Sequence, residues 1–518
     1  MTTAQFPTLA ESGLSPEAAE LVTGPDEHPI HPEHTPTGQL AFGVFFQGVN
    51  SSTIWRLPSS GDQVAWESFE TLIRTAERGK FAAFFLGEGL RLREHRGVPF
   101  ELDVAGRPDA QTLLAALAAV TKDIGLVATQ NTTYNDPVDL ARRLQTLDLL
   151  SAGRAGWNIV TTDNAWTGEN FRRGGYLDHA ERYTHAEAFV QVAEQYWRGE
   201  QVAHDGAHYS VRAQGDLPRS AQGRPVLFQA GASPAGQDFA ARTADVIFSP
   251  HGSLAAAVEF RRSIVERTVA AGRDPGSVKI LPGAEIVLAP TEAEAEEKIR
   301  WVRDLQIGPE QAIALLEQYW GRDLSEFDPE GPLPDVPPEV VESGVTRGSG
   351  FQFAKAEELT RQWREEAAQK GQSILEFARA KSGSRRGAFT GSYDAVADRL
   401  VEFARLGAID GLNITPWLIP SGIDDIVDHL IPRLQERGVY PTEYAGSTLR
   451  ENLGLPPGLS GGGLGSPVWP GSTAGSAARR GPQRGGARCP AQPGYPGVSH
   501  EKCWNVCSFR HSTLDTPG

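Results

Sequence analysis

Short apolar runs alternate with longer stretches of helical period along most of the chain. The runs are QLAFGVFF (39–46), FAAFFL (81–86), IGLVAT (124–129), RAGWNIVT (154–161), PVLFQA (225–230), ADVIFS (244–249), VKILPGAEIVLA (278–289) and IDGLNIT (409–415). Most are apolar at successive positions rather than at every second one, which predicts strands buried on both faces. Between them, segments such as WESFETLIRTAERGK, AQTLLAALAAVTK, PVDLARRLQTLDLLSAG and YDAVADRLVEFARLGA repeat apolar residues every three or four positions, and IDDIVDHLIPRLQERG follows the last run. That spacing predicts amphipathic helices. Eight strand–helix units predict an α/β fold with a parallel sheet, and closure into a (β/α)8 TIM barrel is the most economical arrangement.

The pattern divides the chain into a flexible N-terminal segment (1–38), a barrel domain (39–454) and a Gly/Pro-rich tail (455–518) that lacks the apolar residues needed to offset its ordering entropy. Roughly from 290 to 390, between the seventh and eighth strands, helical segments and the loop LPDVPPEVVESGVTRGSG form an insertion. An insertion there emerges at the C-terminal ends of the strands, where barrel sites are built, and is expected to act as a lid.

A long helical stretch, in FRRGGYLDHAERYTHAEAFVQVAEQYW, opens with Asp178 and Glu181 in a capping-box-like arrangement. His179 and Tyr183, four apart, share one face at its start, and Ala186, Phe189, Val190, Ala193, Tyr196 and Trp197 continue as a core stripe. Tyr183 reads equally well as a site residue or as the first member of that stripe.

Charge narrows the range of partners. The 518 residues carry a net charge of −16, against nonspecific affinity for nucleic acid or anionic lipid. The tail holds six basic and two acidic residues, which leaves the body at −20. No apolar run approaches the ~18 residues of a membrane helix, and the N-terminus lacks a secretory pattern, so a cytoplasmic location is expected. Cys489, Cys503 and Cys507 all fall in the tail and read neither as a disulfide framework nor, with His511, as a credible zinc site. HExxH and Walker patterns and a GxSxG nucleophile elbow are absent, which weighs against metal hydrolysis and serine acyl transfer.

The residues that follow the runs are polar or glycine: Gln47 to Asn50, Gly87-Glu88-Gly89, Thr129 to Asn131, Thr161-Thr162, Gly231 to Ser233 and Ser249 to His251. QAGASPAG passes from strand directly into helix, so Ser233 is either a phosphate ligand at a helix N-terminus or only an N-cap. Arg172 and Arg173 either add charge there or lie solvated. Glu88 has no obvious carboxylate partner for paired acid–base work. GLRLREHRG gathers Arg91, Arg93, His95 and Arg96 at the same rim. That cluster suits a substrate carboxylate or sulfonate, or else it is a solvated loop pairing with Glu94 and Glu101.

RTAERGKFAAFFLGEGLRLREHRG, NTTYNDPVDLARRLQTLDLLSAGRAGWNIVTT, NFRRGGYLDHAERY, GRPVLFQAGASPAG and RLQERGVYPTEYAGSTLRENLGL occur in this order, and the chain from about 39 to 454 resembles the nitrilotriacetate and dimethyl sulfide monooxygenase branch of the bacterial luciferase-like flavin monooxygenases. The resemblance implies a barrel that takes reduced FMN as co-substrate from a separate NAD(P)H:flavin reductase and uses O2 to oxygenate a small amine, sulfide, sulfone or aminopolycarboxylate. It also implies a homo-oligomer. By motif position it assigns flavin binding to Glu88, Thr129, His179, Tyr183 and Ser233. Glu88 stands where the family usually has the shorter Asp, and TTYNDPVDLAR lacks the imidazole and aromatic groups of many relatives, so no catalytic base is implied. A deazaflavin-dependent oxidoreductase on the same barrel and a non-enzymatic flavin-binding protein stay open as alternatives.

Overall fold

The computed structural model describes residues 39–48, 52–55, 57–90, 107–162, 181–231, 233–249, 253–339, 356–383 and 387–458, together with residues 18, 21 and 171 and two two-residue strands, 94–95 and 98–99. His179, Arg91, Arg93, Arg172, Arg173 and the tail cysteines lie outside the described residues.

The barrel strands are β1 (Ala41–Phe46), β2 (Ala83–Leu86), β3 (Gly125–Asn131), β4 (Ala155–Val160), β5 (Val226–Ala230), β6 (Val246–Phe248), β7 (Lys279–Ile280 with Gly283–Ala284) and β8 (Gly411–Ile414). Each pairs in parallel with its sequence neighbour around a single sheet that begins and ends on the two halves of β7. Lys279–Ile280 pairs with β6 and Gly283–Ala284 with β8. Leu281 N–H and Gly283 N–H donate to Ile247 and Ser249 on one side, while Ile280 and Pro282 accept from Asp410 and Asn413 on the other. The ring is thereby closed. The apolar run 278–289 is accordingly not one strand. Pro282, which has no N–H, breaks it, and Val287–Ala289 leaves the barrel to pair in parallel with Thr390–Ser392.

The helices after β1 to β6 are α1 (Trp66–Arg78), α2 (Ala110–Ala118), α3 (Pro137–Leu150), α4 (Arg182–Trp197), α5 (Pro234–Thr243) and α6 (Leu254–Ala270). A hairpin of Gln201–Asp205 and Ser210–Gln214 lies between α4 and β5. The insertion holds α7 (Glu292–Gln306), α8 (Pro309–Trp320), α9 (Ala356–Lys370) and α10 (Ile374–Ser382). AEELTRQWREEAAQKGQSILEFARA makes two helices, because Gly371 takes φ +62° and Ser373 starts a new capping box. Trp320, Leu316, Leu324, Ile374 and Phe377 give the insertion a core of its own. Its first helix reaches the C-terminal side of the barrel, where Gln306 Nε2 donates to Ser52 O at 2.6 Å beyond β1 and Trp301 meets Trp417 beyond β8. After the insertion come α11 (Tyr393–Arg405), α12 (Ile431–Glu436) and α13 (Leu449–Asn452).

At the N-terminal end of the barrel α13 acts as a plug. Leu449, Leu453 and Leu455 share one buried cluster with the inward residues Phe85, Val127, Phe228 and Leu281. A Cβ on Gly125 would collide with Leu449, and one on Gly156 would come within 3.2 Å of it. Beside it, Asp245 takes a bidentate pair from Arg224 at 2.7 and 3.1 Å and a further bond from Arg450 at 3.0 Å. Burial alone would raise the Asp245 carboxyl, but the two guanidinium charges outweigh it and hold the group well below the usual carboxylate range.

Candidate active site at the C-terminal face

Alternation along the strands decides which side chains face the barrel axis. Phe45, Phe85, Phe228 and Phe248 belong to the inner cluster, and Phe85 meets Phe228 and Phe248 at 4.9 and 4.6 Å. These rings form an apolar floor, with Phe85 and Phe228 buried and Phe45 and Phe248 half-buried. The same alternation turns Thr129, Asn158 and Asn413 inward, Thr129 in register with Asn158, Asn158 with Phe228, and Asn413 with Gly43. Asn158 Nδ2 donates to Thr129 Oγ1 at 3.0 Å, and Asn158 Oδ1 is buried with no hydrogen-bond partner among the described residues. Asn413 Oδ1 is likewise unpartnered, 3.0 Å from where a Cβ on Gly43 would sit. Two buried amide acceptors left open beside the aromatic rings fit a flat ligand with N–H groups on its edge.

Glu88 follows β2 on this rim. Its Oε2 accepts from Asn131 N at 3.0 Å and from Asn131 Nδ2 at 2.7 Å. Burial pushes the carboxyl up to about 7, against the two Asn131 hydrogen bonds that pull it down. Near neutrality the group is therefore divided between a hydrogen-bond donor and an acceptor. Asn131 Oδ1 in turn accepts from Tyr134 N at 2.7 Å, and the Tyr134 ring stacks on Phe171 at 4.3 Å.

Across the mouth, Ser233 is the N-cap of α5, its Oγ accepting from Gly236 N at 3.2 Å. The N-cap reading of this residue is met, and a hydroxyl that accepts from the helix still has its proton to donate. Ser233 is exposed, as an anion site at a mouth requires. Tyr183, in the first turn of α4, brings its hydroxyl to 3.0 Å from where a Cβ on Gly236 would stand. Gly231 is needed for close approach, because a Cβ there would lie 2.9 Å from Gly236 Cα. The structure therefore gathers Tyr183 and Ser233 at one helix N-terminus, and Glu88 and Thr129 around the β2–β3 side. His179 precedes the described part of α4.

Arg107 was not singled out by the sequence. It stands just ahead of α2, whose first turn Asp109 caps by accepting from Thr112 N at 2.8 Å. In this fold the residue before a helix shares a rim with the residue after the preceding strand, and only the latter positions had been read. Arg107 Nη1 donates to Glu88 O at 3.4 Å. Among the described residues no set of three His, Cys, Asp or Glu side chains could hold a metal ion. No helix among them is long and apolar enough to cross a membrane.

Comparison with known proteins agrees with this geometry. The chain is 37% identical over 443 residues to N-acetyl-S-(2-succino)cysteine monooxygenase of Bacillus subtilis, covering 80% of this chain and 97% of that one. It is 36% identical over 454 residues to nitrilotriacetate monooxygenase component A of Aminobacter aminovorans, covering 80% and 96%. A solved structure of a riboflavin lyase with modified FMN and riboflavin aligns with TM-score 0.66 and 30% identity over 80% of this chain and 95% of that one. The model of the luciferase-like monooxygenase family matches residues 40–409, and with the barrel and its polar mouth in place the chain belongs to that family.

Proposed function

We propose that the protein is the oxygenating component of a two-component, FMN-dependent monooxygenase. It takes reduced FMN from a separate NAD(P)H:flavin reductase and uses O2 to oxygenate a small organic molecule, as a homo-oligomer in the cytoplasm. The observation that carries the reading is the pairing of the Tyr183 and Ser233 hydroxyls at the N-terminus of α5, across the mouth from Glu88 and the open acceptor of Asn158. Relatives named as monooxygenases, one of them a "component A", support it.

Reduced flavin, when bound, supplies the electrons that activate O2. The protein's own part is binding, orientation and the exclusion of water. Ser233 and Tyr183 donate to the phosphate, with His179 joining them by its place in the motif. Thr129, Asn158 and Glu88 would hold the polar edge of the ring, and the Glu88 carboxyl passes from proton donor to acceptor around pH 7. The phenylalanine floor would give the flavin an apolar surface to lie against.

The test is anaerobic titration of the full chain with reduced FMN, followed by oxygen uptake with a generic flavin reductase and a panel of amines, sulfides, sulfones and aminopolycarboxylates. Binding with O2 consumption coupled to substrate loss is expected. Turnover that needs a deazaflavin and no O2 favours the deazaflavin-dependent oxidoreductase alternative. Flavin binding with no coupled substrate loss favours a flavin carrier.

A further inference from the structure

We propose that Arg143, in the middle of α3, is a positioning residue of this site, which through Asn135 and Asn131 fixes the Glu88 carboxyl where the ligand meets it. The inference rests on the oxygenase reading above for what Glu88 faces, and it adds the residues that hold Glu88 there.

The contacts start at the rim. Asn131 ends β3 and is fully buried. Its backbone N–H and its Nδ2 both donate to Glu88 Oε2, so neither occupies Oε1. Its Oδ1 accepts from Tyr134 N at 2.7 Å and its backbone oxygen from Asn135 Nδ2 at 2.8 Å. A backbone N–H only donates, so Tyr134 fixes which end of the Asn131 amide is oxygen and turns Nδ2 toward Glu88. Asn135 is oriented from both ends in the same way. Its Nδ2 meets a carbonyl, which only accepts, and its Oδ1 meets Arg143 Nη2 at 2.7 Å, which only donates. The guanidinium is itself clamped. Its Nε donates to Asp139 Oδ2 at 3.0 Å, one turn back on α3, and its Nη1 to Gln111 Oε1 at 3.0 Å on α2. Each nitrogen of the fork thus has an acceptor, and the three acceptors come from three separate parts of the chain.

A solvated arginine has no need of such an arrangement. Every donor along the relay points toward the carboxyl, an order that favours its ionised form. The Arg143 charge also pulls Glu88 down directly, whereas Asp109 at the start of α2 and, above all, burial push it up, to about 7. Arg107 Nη1, from the loop before α2, donates to the backbone oxygen of Glu88. The face that attaches α3 to the barrel is Leu140, Leu144 and Leu147, and Arg143 is not part of it. Loss of the guanidinium is therefore felt at Glu88 rather than throughout the fold.

The experiment compares the full-length protein with Arg143→Met, Arg143→Lys and Asn135→Ala, each alone, with Glu88→Ala and with Glu88→Gln. Two quantities are followed from about pH 5 to about pH 9: the anaerobic Kd for reduced FMN, and the melting temperature without flavin. Arg143→Met is expected to weaken reduced FMN about tenfold near neutral pH. Combined with Glu88→Ala, which leaves no carboxyl to position, it should add no more than about twofold. Without flavin, the gap in melting temperature between the protein and its Glu88→Gln variant should stop widening above about 7. A cation favours the carboxylate, so its removal raises Glu88 further, and in Arg143→Met the gap should keep widening for about one pH unit more. Arg143→Lys keeps the charge and loses the fork, and Asn135→Ala keeps the guanidinium and loses the link. Both should weaken reduced FMN, with the end of the gap nearer that of wild type. Losses of affinity that simply add to that of Glu88→Ala would overturn the proposal. So would unchanged FMN affinity with a melting temperature lowered equally at every pH, or with no change in melting at all. A wild-type protein that fails to bind reduced FMN overturns the oxygenase reading instead, and the flavin-free melts still decide whether Arg143 acts on Glu88.

Discussion

Glu88 has the most specific expected behaviour of any single residue. Its carboxyl is lifted from 4.5 to about 7, chiefly by burial. The folded chain therefore keeps this proton to higher pH than the unfolded one. The associated stability is fully present below about 4.5 and is lost as pH rises through 7. Glu88→Gln cannot ionise, so the variant should gain thermal stability relative to wild type between about pH 5 and about pH 8. Calorimetric melts at both values check it, and a gap that does not change with pH removes the burial argument. Ser233→Ala combined with Tyr183→Phe should weaken reduced FMN by roughly 1.5–3 kcal/mol per hydroxyl and riboflavin far less, if both hydroxyls donate to the phosphate as proposed. Equal losses for the two flavins would move these residues away from the phosphate. At this scale the sequence was partly legible. Ser233 and Glu88 stand out because each lies within three residues of the end of an apolar run. Asn158 and Asn413 were hidden inside runs read as core, and Arg107 lay in an aperiodic loop whose return to the rim only the closed barrel reveals.

Elements were more legible than residues because periodicity reports burial directly. The stripe from Ala186 to Trp197 is buried throughout, as its spacing predicts. The seventh run misled, since a proline inside an apolar stretch reads as a blemish when it is the point where one strand serves two neighbours and then leaves the sheet. The hairpin at 201–214 was missed because its strands alternate too weakly, with Val202 the one residue of Gln201–Asp205 that is fully buried. The plug α13 is four residues long, too short for any period, yet it carries a testable load. Leu449 is fully buried against Gly125 and Gly156, where surrounding strands cannot collapse around a void. Leu449→Ala should cost about 2–5 kcal/mol in urea unfolding, as large-to-small changes in rigid cores do. A loss below about 0.5 kcal/mol would mean that the barrel end closes without it.

For the whole molecule the plug decides where the working chain ends. Composition alone puts the change of texture at Leu455, but Leu455 is buried in the plug cluster and Arg450 Nη1 donates to Pro456 O at 3.3 Å. The buried groups Asp148 and Asp245 depend on the same segment. Asp148, raised to about 6 by burial, is held by Ser220, by Ala155 N at 3.0 Å and by Gln222, which itself accepts from Arg450 N at 3.2 Å. Removing residues 448–458 would empty the barrel floor and strip Asp245 of one of its two cations, an uncompensated change of the kind that unfolds proteins. Truncation after Gly458 removes none of these contacts among the described residues, and with them goes every cysteine of the chain. The shorter protein should melt within about 2 °C of the full chain and bind reduced FMN equally well, whereas truncation after Ser447 should lower the melting temperature by roughly 5 °C or more or abolish folding. Parallel melts of the three proteins decide the matter. A large loss on cutting at Gly458 would show that the last sixty residues contribute to the fold, and a negligible loss on cutting at Ser447 would show that the plug does not.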